Sequence, residues 1–212
     1  MTVAIICEES GTVRDAFLRA GHDAISVDLK PSRSSYGPHH QGDALEWLER
    51  NWRDVDLAIM HPDCTYFTRA GERWLHHPVD DDRPGKLKGE PRWAAFRQAV
   101  EFWHALLEFP VPRVALENPR PCKPARAEIG DSSQVIHPYQ FGHLKTKETH
   151  LWLRNLPPLL PTSDLKAATM ALPAKERSSI WYESPGPLRA QNRSVTFQGI
   201  ADAMATQWGA LL

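Results

Sequence analysis

The chain has few cysteines, no long apolar run and almost no net charge, and each shortage removes a class of protein. Three cysteines among 212 residues, at Cys7, Cys64 and Cys122, are odd in number and scattered. That excludes a disulfide framework and fits a reducing compartment. No apolar stretch reaches membrane-spanning length, and the N-terminus lacks a signal-peptide layout, so a cytoplasmic location with no membrane partner is expected. A formal net charge of −1 excludes a uniformly basic nucleic-acid coat while leaving room for a local basic cleft. Histidines are plentiful, ten in all, and include the pairs His39-His40 and His76-His77, but no Cys-x-x-Cys or His-Glu-x-x-His spacing occurs. No metal site is therefore expected. A phosphate-loop pattern and internal repeats are missing as well.

What is abundant is proline: 18 residues, sixteen of them from Pro62 onward, beside eight tryptophans. The chain thus has two textures, a regular front (1–61) and a proline-broken remainder (62–212) of short elements and shaped loops. Charge divides at the same place. Ten acids and six bases lie in 1–61, against sixteen acids and nineteen bases in 62–212. The length fits one compact domain spanning 1–212, able to bury roughly 70% of its unfolded surface.

The front alternates strand and helix. Val3 to Cys7, Asp23 to Val27 and Asp56 to Met60 are apolar runs of buried-strand length. A helix from Val13 to Ala20, with Ser10 or Thr12 as its cap, and another opening at Gly42-Asp43 fill the gaps. This pattern predicts an α/β fold with a mostly parallel sheet and helices on both faces. Further on, a helix over Trp93 to Phe109, strands at 113–116 and 150–153 and a last helix from Gly199 to Leu212 are expected. Residues 80–86 read as a mobile loop, and 155–192 as an irregular insert with little periodicity.

In open parallel sheets ligands bind beyond the carboxyl ends of the strands, and three such ends carry chemistry. Cys64 follows one strand in a proline-stiffened loop, where a thiolate nucleophile would be useful, although a lone cysteine is more often a small buried hydrophobe. Glu117-Asn118-Pro119 ends another; the glutamate can share a proton with a ring nitrogen or simply cap a turn. Lys145-Thr146-Lys147 precedes a third and by itself is an ordinary solvated charged turn.

In this order, Pro-x-Cys-Thr after a strand, Glu-Asn-Pro after a strand and a basic turn before a strand resemble the cytosine-5 DNA methyltransferases. Cys7-Glu8-Glu9-Ser10-Gly11-Thr12 resembles that family's glycine turn, and Gln198 to Met204 its closing helix. Short phage and prophage proteins carried under the same label share Cys-Glu-Glu-Ser-Gly, His-Pro-Pro-Cys-Thr-Tyr, Glu-Asn-Pro and Phe-Gly-His-x-x-Thr-Lys in the same order. The resemblance implies a Rossmann-like class I methyltransferase fold and S-adenosylmethionine as cofactor. It assigns Glu8, Ser10, Gly11, Asp28, Asp43 and Pro62 to the cofactor's side. Cys64 would attack carbon 6 of cytosine, Glu117 would donate to ring nitrogen 3, and Lys147, or Lys145, would hold the base carbonyl oxygen. Thr65 and Asn118 would contact the substrate.

Four departures shape the expectation. The glycine turn keeps one glycine, Gly11, and places Glu8 and Glu9 near the cofactor. Asp63, beside the thiol, raises its pKa. Lysines stand where the family has arginines, without their bidentate geometry. The forty residues or so between the basic turn's strand and the last helix leave no room for a target-recognition domain. The expected partner is DNA or a pyrimidine nucleotide, with a homodimer or second protein supplying target recognition. Two other readings stay open: another pyrimidine reaction using the same Cys/Glu pair without S-adenosylmethionine, and a silent nucleic-acid-binding or inhibitor protein on this scaffold.

Overall fold

A computed structural model of the chain describes residues 2–78 and 86–212, so the loop expected over 80–86 lies, except for Lys86, outside the described residues. In chain order the elements are β1 (Thr2–Ile6), α1 (Thr12–Arg19), β2 (Asp23–Asp28), β3 (His39–Gln41), α2 (Ala44–Asn51), β4 (Val55–Met60), α3 (Arg69–Glu72) and α4 (Gly89–Glu108). Then come β5 (Arg113–Pro119), α5 (Lys123–Ile129), β6 (Gln134–Ile136), β7 (Thr149–Arg154), α6 (Lys166–Ala171), α7 (Ala174–Arg177), α8 (Arg189–Ser194) and α9 (Gln198–Gln207).

The strands form one sheet in the order β3-β2-β1-β4-β5-β7-β6. All neighbours are parallel except at β7, which runs antiparallel to both β5 and β6. This is the doubly wound arrangement with a reversed strand slipped in beside β5, the Rossmann-like class I methyltransferase fold. The apolar runs of β1, β4 and β5 follow from burial on both faces. Val3, Ile5, Leu57, Ile59 and Ala115 pack against α1 and α9. Ala4, Ile6, Ala58, Met60, Val114 and Leu116 pack against α2, α4 and α5. No helix among the described residues is long and apolar enough to cross a membrane.

Two polar devices hold the layers in register. Arg14, fully buried in α1, donates to Asp15 (2.7 Å), Ser26 Oγ (2.9 Å), Ser32 Oγ (3.1 Å) and the carbonyls of Ser34 (3.2 Å) and Pro38 (3.4 Å). It thereby fastens the serine- and proline-rich loop after β2 to the helix. Arg154 on β7 donates to the carbonyls of Leu107 and Phe109, which the end of α4 leaves open, and to that of Val111 in the loop after it. At the start of α9, Gly199 N–H donates to His143 Nε2 at 3.0 Å. A Cβ on Gly199 would lie 2.0 Å from the Phe141 carbonyl oxygen, so only glycine lets the helix sit on the Phe141-Gly142-His143 turn.

Several expectations needed adjustment. α4 begins at Gly89, four residues before Trp93. β3 and β6 are short and partly polar, and form because neighbouring strands offer open edges. Residues 155–192 hold α6, α7 and the first turn of α8. The paired histidines are taken up by packing: His39 lies between Ser26 Oγ and the Lys30 carbonyl, and His76 and His77 lie against Trp93 and Trp74.

Two measurements check this. Arg14→Met leaves the Asp15 carboxylate buried beside a vacated network, and urea unfolding should show a loss of about 3–5 kcal/mol; a loss under 1 kcal/mol would show that the network is not structural. His143 accepts from Gly199 only when neutral, and burial, against the opposing pull of Asp202, lowers its pKa from the ordinary 6.5. The unfolded chain therefore binds the proton first, so this contribution is complete above pH 6.5 and declines as pH falls below it. His143→Gln, which keeps an acceptor, should lose less of its urea midpoint than the wild type on acidification, and an equal loss contradicts the assignment.

Candidate active site

β1 lies between β2 and β4, where the strand order reverses and a crevice opens beyond the carboxyl ends. The chain leaves β1 with Cys7 at φ 59° and enters α1 from Gly11 at φ 76°. Neither Ser10 nor Thr12 is the main cap of that helix. The buried Glu8 carboxylate takes N–H groups from Val13 (2.7 Å) and Arg14 (3.3 Å), while Ser10 Oγ donates to it at 3.1 Å. An acid at a helix N-terminus is stabilised by the open N–H groups and the dipole. Glu8, expected on the cofactor's side, is thus engaged with the fold itself. Gly11 is likewise dictated from inside, since a Cβ there would meet Arg14 Nη2 at 2.5 Å.

The other acids gather around the end of β1. Asp28 closes β2 and accepts from Lys30 N–H at 2.9 Å; Asp43 caps α2 through Leu45 and Glu46 N–H. Burial first, then Asp28, Asp43 and Asp63, push the Cys7 thiol up to about 12. Glu9 is buried as well, with its carboxylate 3.1 Å from Gln191 Nε2 and 3.6 Å from Lys30 Nζ.

Beyond β4, the buried Pro62 leads into a turn closed by Phe67 and Thr68 N–H groups donating to the Cys64 carbonyl. Asp63 Oδ1 accepts from both the N–H (2.9 Å) and hydroxyl (2.6 Å) of Thr65, so Thr65 serves this turn. Register then decides who meets whom. Met60 is opposite Leu116, which puts His61 beside Glu117 on the α1/α9 side of the sheet, and His61 Nδ1 lies 3.3 Å from Glu117 Oε2. Asn118, next along the strand, points to the other face. It is fully buried, and neither amide atom has a partner among the described residues.

The Glu117 side chain is only 13% exposed. Burial alone would push its carboxyl up, but the His61 hydrogen bond and the nearby Lys147, His61 and His150 outweigh this and hold it below the ordinary 4.5. Its Oε1 and His61 Nε2 are buried without partners among the described residues, which leaves an acceptor and a ring nitrogen for a ligand. Cys64 responds to the same groups: burial, Asp63 and Glu117 raise its thiol to about 11, against the lowering influence of Lys147. Cys64, Glu117 and Lys147 are therefore electrostatic neighbours. Lys145 is turned away, donating to the Glu176 carbonyl at 2.9 Å, which separates the two lysine candidates.

Sequence reasoning gave no role to His61 or α8. The parallel register of two chemically loaded strand ends could have signalled His61. α8 lies over the site: Lys147 Nζ donates to the Arg193 carbonyl at 3.1 Å, Gln191 reaches Glu9, and the Arg193 guanidinium is within electrostatic reach of Cys64.

No protein-family model matches the chain, and no curated protein is similar to it. Among solved structures it aligns with an E. coli protein provisionally described as a DNA modification methyltransferase encoded within a prophage, at 13% identity and a TM-score of 0.44. The alignment covers 82% of this chain and 56% of that one, so the chain spans little more than half of its length. At this identity and score the likeness bears on neither chemistry nor substrate.

Alkylation by iodoacetamide, followed by peptide mass spectrometry, reads the thiol directly. The rate at Cys64 should climb with pH towards a midpoint near 11. Asp63→Asn should move that midpoint down and Lys147→Gln should move it up; a profile indifferent to both changes would disprove the electrostatic coupling.

Proposed function

We propose that the chain transfers a methyl group from S-adenosylmethionine to carbon 5 of cytosine in DNA through a covalent adduct of Cys64. The observation that supports this most is that Cys64, Glu117 and Lys147 lie within electrostatic reach of one another beyond β4 and β5, with His61 held against the glutamate. S-adenosylmethionine presents a sulfonium, an amine, ribose hydroxyls and an adenine amine, all of which favour acceptor oxygens. Asp28, Asp43 and Asp63 crowd one point at the end of β1, and a cationic ligand relieves that crowding. The residues fit the cofactor on that side, with Asp28 for the hydroxyls and Asp43 for the adenine amine. When bound, the cofactor supplies an electrophilic methyl group.

The chain's own residues account for the activation of the base. With its thiol at about 11, Cys64 is protonated at rest, so attack on carbon 6 needs a proton acceptor. The ionised Glu117 accepts the thiol proton and passes it to ring nitrogen 3. The sulfur–carbon bond then forms as the sulfur–hydrogen bond breaks, and the displaced ring electrons gather at carbon 5. Lys147 stabilises the negative charge moving from sulfur to the base carbonyl oxygen. His61 holds the carboxylate in place through its other oxygen. The carbon 5 proton is lost to solvent, and as the sulfur departs the proton on nitrogen 3 returns through Glu117 to the thiolate, which restores the ring and the resting thiol. A target base in a duplex would first have to be flipped out.

One observation favours a second reading. Glu8 fills the α1 N-terminus, next to where the family's glycine turn meets its cofactor. A pyrimidine-modifying enzyme that uses Cys64 and Glu117 without S-adenosylmethionine accommodates this.

Calorimetric titration with S-adenosylmethionine separates the two readings: saturable binding weakened by Asp28→Asn supports transfer, and absence of binding favours the second. With methyl-labelled cofactor and cytosine-containing DNA, label should appear at carbon 5. Glu117→Gln should slow it by about a hundredfold or more, and Cys64→Ala should abolish it. Undiminished labelling by Cys64→Ala would overturn the proposal.

A further inference from the structure

The insert carries a group of side chains that methyl transfer leaves unused. Trp181 and Tyr182 are consecutive and 59% and 53% exposed, and Leu188 beside them is 59% exposed. α8 sets Arg189 and Arg193 four residues apart on one face. The Arg193 guanidinium lies 5.7 Å from the centre of the Trp181 ring, and Arg189 Nη2 donates to the Trp181 carbonyl at 3.0 Å. Among the described residues neither arginine pairs with a carboxylate, and the Nε of each is buried without an acceptor. Burial first, and then the neighbouring Arg189, lower the Arg193 pKa, against the opposing influence of Cys64 and Glu183.

Two guanidinium groups with open donors call for an anion with several acceptor oxygens, which a phosphodiester provides. The exposed rings alongside call for a flat apolar partner. A single-stranded nucleic acid offers both in alternation along its length, whereas a duplex hides its base faces. The charge balance agrees, since residues 172–195 carry four bases and two acids. The location agrees too, because α8 holds Lys147 through the Arg193 carbonyl and touches Glu9 through Gln191. A strand lying on this patch passes beside Cys64.

We propose that Trp181, Tyr182, Arg189 and Arg193 form a landing surface for single-stranded DNA next to the Cys64 site, in the place of a duplex-reading domain. The inference rests on the pyrimidine reading above for what the strand brings to the thiol, but its binding needs neither the cofactor nor the thiol.

Fluorescence anisotropy with a labelled single strand of about 12 nucleotides, its duplex and the RNA strand of the same sequence tests it on the full chain. The wild type should prefer the DNA strand. Trp181→Leu, which keeps an apolar side chain without a ring, should weaken binding roughly tenfold. The double change Arg189→Gln with Arg193→Gln should weaken it and flatten its salt dependence. Circular dichroism and urea unfolding confirm that the variants fold, and both changes lie on exposed or half-buried positions. The proposal fails if the wild type binds nothing, binds duplex or RNA as tightly as the DNA strand, or loses nothing in either variant. Cofactor titration is scored separately, so methyl transfer can fail while strand binding stands, and the reverse.

Discussion

The carboxyl edge of this sheet is organised around a buried negative charge. Glu117 sits at the end of a strand covered on both faces, and an ionised carboxylate there costs several kcal/mol unless it is paired. His61 supplies a hydrogen bond from the adjacent strand, and Lys147 supplies charge from the turn before β7. Lys147 is in turn steadied by the Arg193 carbonyl, which draws α8 over the edge. The same carboxylate raises the neighbouring thiol. One buried charge thus accounts for the lysine and the position of the insert, and it adds to burial and Asp63 in a resting state in which Cys64 keeps its proton.

The edge beyond β1 and β2 obeys the opposite logic. There acids outnumber cations, and the fold offsets their crowding by giving several of them backbone work: Glu8 caps α1, Asp43 caps α2, and Asp28 closes the turn after β2. Arg14 takes up Asp15 and clamps the following loop, so the acidic rim is held in one shape before any ligand arrives. A prepaid arrangement of acceptors suits a ligand with a positive centre and hydroxyl groups. The two halves of the edge, one acidic and one built on Glu117 and Lys147, meet at Asp63, whose charge reaches both Cys7 and Cys64.

Much of this was legible in the residues. β1, β2, β4, β5 and β7 showed as apolar runs because both of their faces are buried, and Cys64, Glu117 and Lys147 stood out because they sit at strand ends. β3 (His39–Gln41) and β6 (Gln134–Ile136) were hidden, since edge strands of three residues take their conformation from neighbours rather than from their own pattern. α8 was hidden because its sequence, Arg-Ala-Gln-Asn-Arg-Ser, has no apolar stripe; its contacts with the site are polar. His61 was missed because its partner lies 56 residues away and only strand register joins them. Glu8 looked like a ligand-facing acid, and only the position of the α1 N–H groups shows that it is a cap. Prolines mark the edge throughout: Pro62 and Pro119 leave β4 and β5 beside the thiol and the glutamate, and Pro138 precedes the turn that receives α9.

The central claim is that Cys64 attacks a pyrimidine with Glu117 and Lys147 acting on the same ring. DNA carrying 5-fluorocytosine tests it most directly, because fluorine at carbon 5 cannot leave as a proton and traps the adduct. Intact-mass analysis after incubation with S-adenosylmethionine should show one strand attached per chain, with digestion placing it on the peptide that contains Cys64. Absence of any adduct, or an adduct that persists in Cys64→Ala, would contradict the account.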